Sequence, residues 1–197
     1  KETMTVTRSP LAYLRSLFPE QTMGKCEFVQ PTEERLKAYD NDVVSAIRSN
    51  DLNRLRDLLE KGQSFDACNR SGETLLHLAC RRAKPDTVRF LLEEASVPWS
   101  YSDDLGRTIF HDACWRPHAD LDVLDTLLVT VSPIMLLVED SRGHACFDYV
   151  RRSDWDCWVT YLKQRKEFLQ GKVAKQTNIA KVAKQTKSST AALSVVG

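Results

Sequence analysis

The sequence lacks several features that would assign the protein to a particular class. No stretch of its 197 residues approaches a run of about 18 apolar residues, so we expect no membrane-spanning helix. Six cysteines are too few for a disulfide scaffold in a chain of this length, and several lie inside apolar helical patterns, where a free cysteine packs as a small hydrophobe. The net charge is only +1, which by itself points neither to nucleic acid nor to a membrane surface. We therefore expect an intracellular protein of the cytoplasm or nucleus.

The start of the chain and its hydrophobic content indicate what kind of folded unit to expect. The chain starts with Lys1-Glu-Thr-Met, without an initiator methionine and without the apolar segment of a signal peptide, so we expect a processed chain or a fragment. A hydrophobic content of 42% in 197 residues suffices for the core of one domain with tails.

One ten-residue motif occurs twice, and this repetition is the strongest signal in the chain. Ser71–Cys80 has the sequence SGETLLHLAC, and Leu105–Cys114 has the sequence LGRTIFHDAC. Five residues are identical at a separation of 34: Gly72 and Gly106, Thr74 and Thr108, His77 and His111, Ala79 and Ala113, and Cys80 and Cys114. A fixed period of about 33 predicts stacked repeats with a continuous core, and such arrays are usually binding surfaces rather than enzymes.

Weaker copies of the pattern bring the number of predicted units to four. The trace apolar-x-x-apolar-Leu marks the buried face of a second helix in each unit, at Leu55–Leu59, Val88–Leu92, Leu124–Leu128 and Trp158–Leu162. The glycine of the motif recurs as Gly143, 37 residues after Gly106, and Asp148 there takes the place of the histidine. The pattern fades toward both ends, as is typical of the terminal units of an array.

These residues resemble the ankyrin repeat, whose signature is Gly-x-Thr-Pro-Leu-His-x-Ala followed by a second helix that ends in Leu-Leu. Gly72–Ala79 and Gly106–Ala113 match this signature except that Leu75 and Ile109 replace the proline. The resemblance covers about residues 40–168 and implies an all-α solenoid of stacked helix-turn-helix units with β-turn tips. It also implies a non-catalytic protein-protein interaction module with a concave binding groove. The predicted units are about 39–71, 72–105, 106–142 and 143–169, within an ankyrin domain at 32–169.

The positions of the motif have physical roles that can be checked in the structure. The three glycines permit a positive φ in the turn before each inner helix. Thr74 and Thr108 are expected to cap the inner helices, and the resemblance implies that each Thr–His pair is hydrogen-bonded to the neighbouring unit. Two departures concern the inter-helix turns, where Ala83 and Pro117 stand in place of the usual glycine, and extra residues around 116–122 and 131–140 leave the curvature of the C-terminal half open.

The segments on either side of the predicted domain have different compositions. Within the N-terminal extension (1–31), apolar residues at helical spacing predict a short amphipathic helix at Leu11–Phe18, which either packs on the end of the domain or serves as a docking motif. Thr32 is expected to cap a helix that begins at Glu33. Residues 170–197 contain the segment KVAKQT twice and no aromatic residue, so we expect a basic, disordered tail.

Arginine is concentrated at the positions that face ligands in ankyrin arrays. The resemblance places twelve candidate partner-binding residues there: Arg48, Arg70, Glu73, Arg81, Arg82, Asp104, Arg107, Trp115, Arg116, Arg142, His144 and Arg152. Eight of the 16 arginines of the chain belong to this set, against only two acids. Because guanidinium groups bind carboxylate and phosphate in a bidentate manner, an acidic or phosphorylated peptide centred on Trp115 is one hypothesis. A passive, solvated helix face is the other.

Catalytic and metal-binding alternatives are weaker. The spacing His-x-x-Cys at His77 and His111 could suggest a zinc site, but equivalent residues of stacked units lie about 8–10 Å apart and rarely converge on one ion. A Cys–His nucleophilic pair would need an exposed thiol and an oxyanion hole, for which the sequence offers no candidates. We therefore expect no catalytic residue, metal or cofactor. Two further hypotheses remain open, a nucleic-acid-associated protein that uses the arginine face and the lysine-rich tail, and the targeting arm of an enzyme.

Overall fold

The structure is a computed structural model that describes residues 9–19 and 26–176, and it consists of short helices arranged in two layers. In chain order the elements are α1 (Pro10–Leu17), β1 (Glu27–Phe28), α2 (Glu33–Ala38), α3 (Asn41–Ser49), α4 (Leu52–Glu60), α5 (Leu75–Arg82), α6 (Pro85–Glu93), β2 (Tyr101–Ser102), α7 (Ile109–Cys114), α8 (Leu121–Thr130), three 3₁₀ helices (Pro133–Leu137, Cys146–Tyr149 and Arg152–Asp154) and α9 (Trp155–Gln164). Residues 166–176 are also helical. In the part of the chain that the structure describes, no helix combines the length and the hydrophobicity needed to cross a bilayer.

The helices alternate between an inner and an outer layer, as the repeat predicts. In the inner layer α5 packs between α3 and α7, and the 3₁₀ helix Cys146–Tyr149 packs against α7. In the outer layer α6 packs against both α4 and α8. One apolar core runs through all units, and the apolar residues predicted to form the buried faces of the second helices pack in it or against it. The all-α solenoid predicted from the sequence is therefore confirmed.

The threonine and histidine of the repeated motif tie neighbouring units together. Nδ1 of His77 lies 2.8 Å from Oγ1 of Thr74 and accepts the backbone N–H of the same threonine at 3.3 Å. Nε2 of His77 lies 3.2 Å from the carbonyl oxygen of Arg107 in the next unit. Because that carbonyl can only accept, Nε2 carries the proton and Nδ1 is the acceptor. His111 repeats the arrangement with Thr108 and with the carbonyl oxygen of His144, at 3.0 Å, which confirms the predicted network between units. Both threonines occupy the N-cap positions of their helices.

The turn tips are built on the glycines and on an acidic or amide side chain three positions earlier. Gly72, Gly106 and Gly143 have φ values of +78°, +75° and +79°, as predicted. The side chain that precedes each glycine accepts two backbone N–H groups of its own turn; these side chains are Asn69, Asp103 and Asp140. Successive tips are also joined by backbone bonds, from the N–H of Asp104 to the carbonyl of Ser71 and from Ser141 to Leu105, both at 2.8 Å. The tips therefore form one continuous edge.

Residues 9–19 and 26–31, the described parts of the N-terminal extension, pack along the array. Helix α1 contacts α9 and the 3₁₀ helices near the C-terminal end, and it buries Leu11 and Leu14. Strand β1 pairs in parallel with β2, a contact that the sequence analysis did not predict. Of the two hypotheses for the Leu11–Phe18 helix, packing on the end of the domain is the one observed. The N-cap role of Thr32 is confirmed, because its side chain accepts the N–H of Arg35.

The C-terminal part departs from the regular repeat. The inner helix of the fourth unit is replaced by the 3₁₀ helix Cys146–Tyr149, where Oδ2 of Asp148 accepts the N–H of Ala145 at 3.0 Å, as histidine does in the preceding units. Helical residues 166–176 include the first seven positions of the predicted disordered tail (170–197), where Val173 is buried and Lys172 donates to the carbonyls of Leu128 and Val129. Residues 177–197, with the second KVAKQT copy, lie outside the described residues.

Candidate functional site

The C-terminal ends of the inner helices surround one cavity of about 410 Å³, which we call the arginine pocket. Its lining residues come from units two, three and four: Arg81, Arg82, Trp115, Arg116, Pro117, Tyr149 and Arg151. Four of the twelve candidate residues are thus brought together at one place. None of the lining side chains is acidic.

Arg81 is held in place by two carboxylates. Its Nη1 lies 2.6 Å from Oε1 of Glu73 and 3.1 Å from Oδ1 of Asp112. Burial by itself raises the pKa of Glu73, but the bond and the charge of Arg81 outweigh it, so that the net pKa is lowered. Arg81 is therefore a fixed wall of the pocket whose charge is already balanced.

Arg116 has a structural role at the end of α5. Its Nη1 donates to the carbonyl oxygens of Cys80 and Ala83 at 2.9 and 3.0 Å, and its Nη2 pairs with Asp120 at 2.9 Å. The last carbonyls of a helix have no partner within the helix, and a cation near them is favourable. This contact compensates for Ala83, which stands where the family usually has a helix-ending glycine.

The aromatic part of the pocket is formed by Trp115 and Tyr149. Trp115 is 51% exposed, which is unusual for so large an apolar side chain. The guanidinium carbon of Arg107 lies 5.8 Å from the centre of the indole, and the ring of Tyr149 lies 6.3 Å away. The hydroxyl of Tyr149 donates to Asp140 at 2.5 Å, so this ring is fixed from the turn of its own unit.

Arg82 and Arg151 are the two uncommitted cations of the pocket. Both are exposed, and within residues 9–19 and 26–176 neither guanidinium group has a hydrogen-bond or ion-pair partner. Arg82 ends α5 in unit two, whereas Arg151 follows the 3₁₀ helix of unit four. The exposed indole of unit three is in the same pocket. This pair, unlike Arg81 and Arg116, is available to an external anion.

Arg151 replaces Arg152, the residue predicted from the register of the repeat. Counting nine positions from the glycine gives Arg81 in unit two, Trp115 in unit three and Arg152 in unit four. The 3₁₀ helix of unit four has about three residues per turn instead of 3.6, and it ends at Tyr149. The chain therefore leaves the helix early, and Arg152 lies over the ring of Trp155 at 5.5 Å.

A buried charge network lies beside the pocket and was not foreseen. Arg107 pairs with Asp103 at 2.6 Å, and Glu73 and Asp112 complete the set around Arg81. Burial raises the pKa of Asp112 to about 7, although Arg81 acts to lower it. Oδ2 of Asp112 has no hydrogen-bond partner in the described part of the chain. One sign of this network is visible in the sequence, because Asp112 of unit three stands at the position where unit two has the apolar Leu78.

The remaining candidate residues are spread over the surface. Arg48 lies in the last turn of α3, and five others belong to the turn tips: Arg70, Glu73, Asp104, Arg142 and His144. Glu73 points into the charge network, and the ring of His144 contacts Tyr149 at 5.8 Å. The structure does not bring Arg48, Arg70, Asp104 or Arg142 to the pocket.

The geometry also bears on the alternative chemistries. Both ring nitrogens of His77 are engaged, Nδ1 with Thr74 of its own unit and Nε2 with Arg107 of the next, and burial lowers the pKa of His77 to about 4. Burial raises the pKa of the Cys80 thiol, which makes it a poor nucleophile. Among the residues described, no group of three or more His, Cys, Asp or Glu side chains is arranged to hold a metal ion.

Comparisons with known proteins agree with the repeat fold. The family model for ankyrin repeats (3 copies) matches residues 43–133. The eye-specific diacylglycerol kinase of Drosophila melanogaster is 36% identical over 61 residues, which are 31% of this chain but only 4% of that enzyme. The crystal structure of the ankyrin repeat domain of Bcl-3, a member of the IkappaB protein family, superposes with a TM-score of 0.51 at 24% identity, over 64% of this chain and 57% of that one. Residues 43–133 of the chain are therefore ankyrin repeats.

Proposed function

We propose that this protein is a non-catalytic interaction module whose arginine pocket anchors an acidic segment of a partner protein. Ankyrin arrays in general present extended surfaces to protein partners. The observation that supports the acidic character is the lining of the pocket, where four arginines surround an exposed tryptophan and no carboxylate is present. A partially desolvated arginine beside an exposed aromatic ring is the usual composition of a binding anchor.

The proposal restricts the contacts to fewer arginines than the sequence suggested. Three of the candidate arginines, Arg81, Arg107 and Arg116, have internal carboxylate partners at 2.6–2.9 Å. The charges of all three are therefore neutralised, and what Arg81 and Arg116 add to the pocket is shape. For the same reason we do not advance a nucleic-acid function, which depends on many free cations along the surface.

The non-catalytic character is supported by the state of the candidate nucleophiles and bases. The buried histidines are occupied by hydrogen bonds between units, and burial raises the pKa of the Cys80 and Cys146 thiols. The similarity to a diacylglycerol kinase covers 4% of that enzyme, so its activity is not transferred to this chain. We also propose an intracellular location, because all six cysteines are free thiols.

The test is affinity capture of partners from native cell extract by the immobilised chain, compared with variants. Trp115→Ala and Arg82→Glu should each lose the captured partners, because anchor residues contribute at least about 2 kcal/mol, or roughly 30-fold in Kd. Lys163→Glu, an exposed charge change on α9 outside the pocket, is the control and should retain them. Melting curves by circular dichroism show whether each variant is folded. Capture that survives both pocket changes would rule this site out.

A further inference from the structure

Two free guanidinium groups belong to the arginine pocket on either side of unit three. Arg82 comes from unit two and Arg151 from unit four, and both are exposed without a partner in the described part of the chain. The other two arginines of the lining are balanced, Arg81 by Glu73 and Asp112, and Arg116 by Asp120. The two guanidinium groups that are free to bind a ligand together carry a charge of +2.

A phosphate monoester matches this charge better than a carboxylate does. A phosphorylated side chain carries about −1.5 to −2 charges at neutral pH and three strong acceptor oxygens. It can accept a bidentate pair of bonds from each of two guanidinium groups. A single carboxylate would neutralise one arginine and leave the other desolvated without a partner, which opposes binding.

The aromatic lining indicates what carries the phosphate. The indole of Trp115 is 51% exposed in a pocket that also contains Tyr149 and Pro117. The cavity of about 410 Å³ is of the size that holds a small organic group rather than a bare anion. A phosphoserine would leave the indole uncovered, whereas the ring of a phosphotyrosine can pack against it in the offset or edge-to-face manner of aromatic pairs.

We infer that the arginine pocket binds a phosphotyrosine side chain of the partner protein, with Arg82 and Arg151 on the phosphate and Trp115 on the ring. This inference rests on the function proposed above and makes the interaction dependent on phosphorylation.

The first test uses small probes on the full chain, with binding followed by nuclear magnetic resonance of the indole and guanidinium N–H groups. Phenyl phosphate carries both the ring and the dianion, methyl phosphate only the dianion, and phenylacetate the ring with a single charge. We expect phenyl phosphate to bind at least about tenfold more tightly than either of the others. Equal binding of phenylacetate and phenyl phosphate would overturn the assignment of the phosphate.

Variants separate the two parts of the site. Arg82→Gln and Arg151→Gln should each weaken phenyl phosphate binding about tenfold, whereas Lys163→Gln, the control outside the pocket, should not change it. Trp115→Leu should weaken phenyl phosphate but leave methyl phosphate unchanged, because only the former has a ring to cover. A loss of methyl phosphate binding in Trp115→Leu would mean that the tryptophan supports the fold of the pocket and does not contact the ligand ring.

The second test distinguishes a failure of this inference from a failure of the proposed function. Degenerate peptide pools with a central phosphotyrosine, tyrosine, phosphoserine or glutamate are compared for binding to the native chain and to Trp115→Ala. Binding of the phosphotyrosine pool alone supports the inference. Equal binding of the glutamate and phosphoserine pools, lost in Trp115→Ala, keeps the proposed function but overturns the phosphotyrosine specificity. If no pool binds and partner capture is insensitive to the pocket variants, both proposals are wrong.

Binding only to phosphatidylcholine vesicles that contain phosphoinositides would assign the pocket to a lipid headgroup instead.

Discussion

Replacing the buried Asp112 by asparagine should stabilise the protein at and above neutral pH. Asp112 is 1% exposed, and burial raises its pKa from 3.8 to about 7 even though Arg81 lies 3.1 Å away. In the unfolded chain the carboxyl group ionises near its ordinary pKa, so the folded protein holds an extra proton between pH 3.8 and about 7. The stability that the neutral form provides is fully present below pH 3.8 and is lost as the pH rises through about 7.

The magnitude follows from the two pKa values. One pKa unit corresponds to about 1.36 kcal/mol, so the rise from 3.8 to about 7 corresponds to about 4 kcal/mol of unfolding free energy. An opposite effect has to be weighed, because removing one partner of a buried ion pair usually costs about 3–5 kcal/mol. Here Arg81 keeps Glu73 at 2.6 Å, and Oδ2 of Asp112 lacks a hydrogen-bond partner among the described residues. We therefore expect the cost of burying the charge to dominate.

Urea unfolding followed by circular dichroism at about pH 4 and about pH 8 measures the effect. The free energy of unfolding of Asp112→Asn minus that of the native chain should increase by up to about 4 kcal/mol between these pH values. Taking the difference removes the contributions of other groups, such as His77. Glu73→Gln supplies a control of opposite sign, because the pKa of Glu73 is lowered, so its contribution is present at high pH and lost as the pH falls. A pH-independent difference for Asp112→Asn, or one that decreases toward pH 8, would refute the reasoning.

Two further predictions concern packing and are measured by the same unfolding assay. Gly72 and Gly62 both have positive φ, but a Cβ at Gly72 would lie 2.6 Å from Cε2 of Phe28, whereas one at Gly62 would have no neighbour within 4 Å. Gly62→Ala should therefore lower the free energy of unfolding by about 1 kcal/mol and Gly72→Ala by about 2–3 kcal/mol. Equal losses would mean that Phe28 does not pack against the turn at Gly72. Leu14→Ala in α1 should cost about 2–5 kcal/mol, because the side chain is fully buried against the C-terminal end of the array; a cost below about 0.5 kcal/mol would show that α1 is not docked.

The stacking of the units could be predicted from the sequence because it uses local geometry that repeats. The cap, the turn and the bond to the next unit all involve residues within a few positions of one glycine, and the same backbone shape demands the same side chains each time. The acceptors of the turn could have been found in the same way. Asn69, Asp103 and Asp140 each lie three residues before a glycine of the motif, and their separations of 34 and 37 equal those of the glycines.

The composition of the pocket could not be predicted, because it depends on pairings between units. The twelve candidate positions contain eight arginines and only two acidic residues, which suggested a strongly cationic groove. The acids that neutralise Arg107 and Arg116 are Asp103 and Asp120, which are not among those twelve positions. A second cause is local: the 3₁₀ winding of unit four puts Arg151 in the pocket instead of Arg152.

The ion pairs between units and the 3₁₀ winding of unit four together leave few arginines of the pocket free to select a ligand. A ligand that binds an arginine with a carboxylate partner must first displace that carboxylate. A ligand that binds a free arginine loses only the hydration of the two groups. Only Arg82 and Arg151 are free among the arginines of the pocket, within the part of the chain that the structure describes. They come from units two and four, so a ligand that binds both must span the tryptophan of unit three. This is why we infer one phosphate group bound by both arginines, with its aromatic ring on Trp115, rather than a separate carboxylate on each arginine.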